Sequence, residues 1–272
     1  MANSEFPPRI NSLLLGGSLY DRNEVTGRIR HAVSGPRALR PLMELNPFLA
    51  ELSPTQRQDL LLSAQVRTYQ RGNLLRGSGG SMVHIVLGGC VLEEPMYGDV
   101  STTRIQGAGA VLGDVELLDE TVLPPTTRCL STTVTMSVGM DRMRFLMEHL
   151  PSVTMAVGKT VAERIVVSEK VYNRHALSSE QRLAGLFVYL LERCSVPSSR
   201  YGRMLEGLSQ ENLAAALSVS RATVEGAVRA LRKRTLLVTG YRTYEFPSER
   251  KLAELGKVRI PQQTVTGEAS DA

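Results

Sequence analysis

The spacing of apolar positions divides the chain into stretches of different period. From Met43 to Leu62 apolar residues recur at helical spacing, with Ser53-Pro54 as a helix-start signal. From Val66 to about Met143 short β-rich pieces take over: His84–Leu87, Val91–Glu93, Thr102–Ile105 and Val134–Met140. Gly72, Gly77, Gly79, Gly80, Gly88, Gly89, Gly98, Gly107, Gly109 and Gly113 punctuate them. Many short strands between regular turn signals predict a sandwich, barrel or jelly roll. Pro151 then opens a helical stretch that runs to about residue 175. Within it Val157, Val161, Ile165, Ser168 and Tyr172 recur at steps of four, four, three and four, the seam of a helix that packs on a partner helix. A helix buried against its own domain would show the same spacing. A second helix is expected over Ser179–Arg193, followed by a loop from Ser195 to Gly202.

The most specific pattern lies at 208–237, LSQENLAAALSVSRATVEGAVRALRKRTLL. Ser209 is an N-cap with Asn212 at the third helical position. Leu213, Ala216 and Leu217 give one apolar stripe, and the small Ala214 and Ala215 admit a second helix at close range. Ser218-Val219-Ser220 forms the turn, with Ser220 capping the next helix. That helix buries Val224, Ala227, Val228 and Leu231 and shows Arg221, Thr223, Glu225, Arg229 and Arg232 on its other face. This is the build of a helix-turn-helix, whose second helix enters the major groove by its N-terminal residues. Two short strands around Gly240-Tyr241-Arg242 add a wing. Arg221 is placed to take a guanine edge with two hydrogen bonds, and Gln210, Ser220 and Thr223 to take phosphate oxygens. Glu225 is suited to a cytosine amino group or to repelling phosphate, and Arg229 and Arg242 to the DNA backbone.

Charge agrees with that reading. The net charge of the 272 residues is +5, and the lysines all follow residue 150, while arginines dominate the N-terminal arm at 9, 22, 28, 30, 37 and 40. A basic balance suits a polyanionic partner. Cys90, Cys129 and Cys194 are odd in number and widely spaced, and the histidines at 31, 84, 149 and 175 form no metal-ligand pair, so neither a disulfide framework nor a metal site is expected. No nucleophile elbow, Walker loop or zinc-protease helix occurs, and no enzyme is expected. No apolar run approaches a membrane span and the N-terminus lacks the build of a secretory signal, so a cytoplasmic protein is expected.

Over about 43–250 the chain resembles the cyclic-AMP receptor protein / fumarate-nitrate regulator (Crp/Fnr) family. SxENLAxxLxVSRATV, read along 209–224, is similar to that family's helix-turn-helix, VVSEKV at 166–171 to the part of its long dimer helix that lies over the ligand, and Tyr69-x-x-Gly72-x-x-Leu75 and Gly109-x-x-x-Gly113-Asp114-x-Glu116-Leu117-Leu118 to its β-roll. The resemblance implies a homodimer on double-stranded DNA with a two-fold symmetric operator, its half-sites one helical turn apart. It also implies an effector pocket in the β-roll, with Gly113, Asp114, Val115, Glu116, Leu117, Thr126, Thr127, Arg128 and Ser168 as its residues and a cyclic nucleotide or other small anion as its ligand. Departures limit what carries over. Ala222 and Gly226 stand where the family's second helix has Glu and Arg, so the family's operator is not borrowed. Asp114 is a shorter acid than the family's Glu, Leu123-Pro124-Pro125 stands where its arginine falls, and Val167 replaces a hydroxyl residue.

The expected fold class is α+β. An N-terminal arm (1–41) precedes a cyclic-nucleotide-binding-like β-roll or jelly roll (42–150). A dimerisation helix (151–177), a winged helix-turn-helix (178–250) and a polar tail (251–272) follow. The arm's role stays open between lying on the roll, contacting RNA polymerase and staying disordered. The function expected is a homodimeric sequence-specific DNA-binding transcription regulator controlled by a small effector. The alternatives are an effector-independent regulator of the same fold, or a nucleotide-binding or protein-interaction module whose helix-turn-helix contacts protein.

Overall fold

Local capping chemistry sets most helix starts in the computed structural model, which describes residues 41–76, 80–95 and 103–258. The helix expected around Arg22–Val33, Thr102 and the end of the tail lie outside them. Asn46 caps α1 (Pro47–Ala50) and also donates to the Val86 carbonyl at 2.8 Å, so one side chain starts a helix and ties it to the sheet. Ser53 and Gln56 close a capping box on α2 (Pro54–Leu62), and Ser178 and Gln181 do so on α6 (Ser179–Cys194).

Between α2 and α6 lies the β-roll and the helices that lean on it. Its strands are β1 (Gln65–Tyr69), β2 (Leu74–Arg76), β3 (Met82–Gly88), β4 (Val91–Glu94), β5 (Arg104–Gln106), β6 (Val111–Leu112), β7 (Thr126–Cys129) and β8 (Thr133–Gly139). They pair antiparallel in two sheets, β1-β8-β3-β6 and β2-β7-β4-β5. Leu75, Val86, Val91, Leu112 and Cys129 form a small buried cluster within the roll. A larger cluster packs β3 and β8 against α1, α2, α4 (Met140–His149) and the start of α5 (Pro151–Val167). The short α3 (Asp114–Leu118) follows β6, entered through Gly113 at φ +103°, a conformation that favours glycine.

The long helix ends in a π-turn, Ser168–Tyr172, closed by Asn173 N–H donating to the Ser168 carbonyl at 2.8 Å. The C-terminal unit then comprises α6, β9 (Val196–Ser198), β10 (Gly202–Glu206), α7 (Gln210–Leu217), α8 (Arg221–Lys233), β11 (Val238–Gly240), β12 (Thr243–Glu245) and α9 (Glu249–Gly256), with a third sheet ordered β11-β12-β10-β9. Two expectations change here. The stretch from Ser195 to Gly202 is largely a hairpin, β9 and β10, because β10 finds a partner in β12 as well. The polar tail expected from 251 begins inside α9, which buries Leu252 and Ala253. α9 reaches α6 closely at Gly256, where an added Cβ would stand 2.6 Å from the Gly185 nitrogen.

One apolar core joins the roll to the C-terminal unit. Cys90, Leu92, Ile105 and Leu130 share it with Leu183, Phe187, Leu208 and their neighbours. The Tyr172 hydroxyl donates to the Ile105 carbonyl at 3.0 Å and accepts from the Ile105 N–H at 3.2 Å, so the π-turn is pinned to β5.

Candidate nucleic-acid interface and effector pocket

The helix pair at 210–233 is built from local signals. The Ser209 side chain accepts from the Asn212 N–H while Asn212 accepts from the Ser209 N–H, an Asn version of the capping box. Ser218 takes the left-handed conformation at φ +52°, and its N–H closes α7 by bonding the Ala214 and Ala215 carbonyls. Ser220 caps α8 through the Thr223 N–H. Val224, Ala227, Val228 and Leu231 are buried, which turns Arg221, Ala222, Gly226 and Arg229 to solvent. Ala214 is buried as expected of a close-approach residue, whereas Ala215 is exposed.

The expected contact residues gather on one side. Gln210 is the first residue of α7; Ser220, Arg221 and Thr223 start α8, with Glu225 and Arg229 one and two turns on. Arg221 is held by carboxylates, at 2.7 Å from Glu211 and 3.0 Å from Glu225, both exposed pairs that water screens. Arg242 lies in the β11–β12 turn at φ +54°, and its carbonyl accepts from the Gly207 N–H.

The expected effector residues separate into two groups. Gly113, Asp114, Glu116 and Thr127 are buried together with arginines that the sequence reading did not nominate. Arg164, from α5, bonds Asp114 at 2.9 Å and Glu93 at 3.2 Å. Arg76, from β2, bonds Glu116 at 2.6 Å and pairs across the sheet with Thr127. Leu117 is buried in the large roll cluster and Val115 and Thr126 are half-buried. Arg128 and Ser168 do not join this cluster. Strand alternation turns Thr127 and Cys129 inward, so Arg128 faces out and lies 3.7 Å from Glu94. The Ser168 hydroxyl turns back to the Arg164 carbonyl at 2.9 Å. A cation does reach the acidic pocket, from Arg76 and Arg164 rather than Arg128. The signal for Arg76 was a lone charge closing the Leu74-Leu75-Arg76 strand.

The expected dimer-seam residues divide as well. Val157 and Tyr172 are 0% and 3% exposed, packed in the chain's own cores, and have no surface left to offer. Val157 packs in the roll's large cluster and Tyr172 in the core shared with the C-terminal unit, while Val161 and Ser168 are half-buried. Ile165, of the expected seam, stays 63% exposed, on an exposed stripe of α5 that also holds Met155, Gly158, Ala162 and Val166.

Two buried groups titrate in opposite senses. Burial pushes Asp114 up to about 6, against the field of Arg164. Burial, with Arg76 and Arg67 nearby, pushes His84 down to about 4, and the ring bonds the Ser137 hydroxyl at 2.8 Å. A lowered histidine pKa gives stability that is complete above its unfolded value of 6.5 and is lost as pH falls toward 4. A raised aspartate pKa works the other way: stability grows as pH falls from about 6 toward the unfolded 3.8. The contributions of these two groups therefore offset one another over that window. Relative to the native chain, Asp114→Asn should lose stability as the pH is lowered from about 6.5 to about 4.5, and His84→Gln should gain it. Urea unfolding at several pH values checks this; parallel pH profiles for all three chains would contradict it.

Among the described residues no helix is long and apolar enough to cross a membrane, and no three His, Cys, Asp or Glu side chains gather as metal ligands. Residues 181–255 match the Crp-like helix-turn-helix domain. Solved structures with the same fold include a CRP-family transcriptional regulator from Thermus thermophilus (TM-score 0.57, 17% identity, 70% of this chain and 96% of that one). The c-di-GMP-responsive global regulator CLP of Xanthomonas campestris is similar (TM-score 0.56, 17% identity, 72% and 100%). So is a mutant of CooA from Carboxydothermus hydrogenoformans (TM-score 0.51, 19% identity, 73% and 90%). No curated protein matches the chain by sequence. Residues 181–255 thus form a Crp-like helix-turn-helix domain, carried on a chain with the fold of the Crp/Fnr transcription regulators.

Proposed function

We propose that this chain is a homodimeric, sequence-specific DNA-binding transcription regulator. The observation that carries the reading is α8: its apolar face is buried, and its exposed face presents Arg221 and Arg229, with Arg232 and Lys233 in its last turn. Ser220 and Thr223 start that helix where its N-terminus favours phosphate oxygens, and Gln210 does so on α7. The free apolar stripe on α5 supports a second copy packed helix against helix, the arrangement that would present two α8 helices to successive major-groove turns. In this reading the roll (42–150) senses, α5 and the π-turn (151–177) join the protomers, and 178–250 reads DNA.

Arg221→Ala tests it. Operator binding should fall by about 1–3 kcal/mol, the worth of one bidentate base contact, with much less change on random DNA. Gel shifts on selected and random fragments at several salt concentrations measure both. Equal losses on the two would reduce Arg221 to a phosphate contact, and no salt-dependent shift with any DNA would sink the regulator reading.

A second reading, a regulator of this fold that acts without an effector, draws support from the acidic pocket. Asp114 and Glu116, the groups expected to meet an effector, are each already bonded to an arginine of the chain. A ligand entering there must replace those pairs.

A further inference from the structure

Arg182 carries a charge where a charge is hard to keep. It lies in the first turn of α6 and is 7% exposed. Among the described residues its hydrogen bonds go to carbonyls alone, and its Nε has no acceptor. Burial pulls its pKa down. A buried cation without a carboxylate is expensive, and an apolar side chain of similar length would fill the same space at less cost. Packing alone therefore does not account for an arginine here.

The two carbonyls come from separate elements. One belongs to Tyr172, the last residue of the π-turn, at 3.4 Å. The other, held more closely, belongs to Leu217, the last residue of α7. Helix-end carbonyls lack donors within their helix and carry the negative end of its dipole, so a guanidinium suits both. What lies beyond each carbonyl gives the contact its consequence. Tyr172 is tied to the roll, because its hydroxyl bonds both backbone groups of Ile105. Leu217 leads directly into left-handed Ser218, then to Ser220, the cap from which Arg221 starts α8. The crevice beside Arg182 is also bordered by Val219 of that turn and by Thr223 and Val224 of α8.

We propose that Arg182 is a positioning residue for DNA reading: its guanidinium joins the end of the π-turn to the end of α7 and so holds the reading pair at a fixed angle to the roll, without touching DNA itself. The proposal rests on the DNA-reading function above.

Arg182→Met and Arg182→Lys test it, by gel shifts on a fragment that the unaltered chain selects from a random pool and on random DNA, with urea unfolding alongside. Arg182→Met keeps the stem and removes a buried charge, so its unfolding midpoint should change little. Its preference for the selected fragment should fall about 10-fold, the lower end of what a hydrogen bond to a charged group is worth. Random binding and its salt slope should stay, since the outward arginines of α8 are untouched. Arg182→Lys, a point charge without the fork, should lose part of the preference. Tyr172→Phe should lower it too, yet add nothing in the Arg182→Met background, because both break one connection. An unchanged preference in Arg182→Met, losses on both DNAs that track a loss of stability, or additive losses in the double variant would overturn the proposal. Should Arg182→Met not fold, an unchanged preference in Arg182→Lys overturns it instead. An unaltered chain that selects no fragment sinks the regulator reading and this role together, whereas a selective chain whose variants keep its preference sinks the role of Arg182 alone.

Discussion

Arg76→Met is expected to destabilise the fold by about 3–5 kcal/mol, because it leaves the buried Glu116 carboxylate without its cation. The two side chains are 2% and 10% exposed and meet at 2.6 Å. Water cannot replace the guanidinium there. The arginine lies over Gly113, where an added Cβ would stand 3.3 Å from the guanidinium carbon, so its plane is held by backbone on one side. Glu116→Gln should also destabilise, since it leaves a buried guanidinium facing a neutral amide. The double variant Arg76→Met/Glu116→Gln should recover much of the loss, as removing both charges abolishes the unpaired one. Urea unfolding of the four chains gives the coupling energy. Additive losses, or a loss below about 1 kcal/mol for Arg76→Met, would mean that the pair is solvated. The Arg76 Nε and the Thr127 hydroxyl, on facing strands, are both buried without a hydrogen-bond partner among the described residues. The pocket therefore still has polar capacity beyond the ion pair.

What the sequence disclosed depended on how local each signal is. The helix pair was legible residue by residue, since caps at Ser209 and Ser220 and a 3.6-residue apolar period are properties of a few neighbours. The β9–β10 hairpin was not. Pro197, Ser198, Ser199 and Gly202 read as loop, and β10 is a strand because β12, some forty residues on, pairs with it. Helix α9 escaped for a related reason: its polar run is anchored by Leu252 and Ala253 against α6, a contact that no window around 250 contains. Where an effector was expected, Gly113 and Asp114 are buried as neighbours, but the arginines that meet the acids are Arg76 and Arg164, and Arg128 is not among them. A one-residue alternation decided that Arg128 faces out, and only the β2–β7 register brings Arg76 opposite Thr127. Of the expected seam, Val157 and Tyr172 went into the chain's own cores, because apolar spacing alone does not tell a residue packed at home from one left for a partner.

Gly207→Ala should cost far more than Gly202→Ala, although both glycines adopt left-handed φ values, +84° and +79°. The backbone strain of a side chain in that region, about 1–3 kcal/mol, is common to both. Their surroundings differ. Nothing lies within 4 Å of a Cβ at 202, whereas one at 207 would overlap the Leu130 carbonyl oxygen and sit 2.7 Å from its carbon. Leu130 belongs to the roll and Gly207 to the C-terminal unit, and backbone cannot step aside as a side chain does. The seam must open there, and it is stitched elsewhere too. Ala108 N–H donates to the Arg193 carbonyl at 2.9 Å, and a Cβ on Gly107 would lie 2.6 Å from the Cys194 sulfur. Cys90 and Cys194 are buried on either side of the seam, and hydrogen bonding between them, together with burial, pushes the Cys90 thiol up. Both should be slow toward a thiol reagent in the native chain and become reactive in Gly207→Ala, while Cys129, within the roll, stays protected. Thermal unfolding with mass-resolved thiol labelling separates the outcomes. A lowered midpoint with Cys90 and Cys194 selectively labelled identifies an opened seam between folded units. Equal midpoints for the two alanine variants would show that the seam yields without cost, and labelling of all three thiols together would show that roll and reader unfold as one.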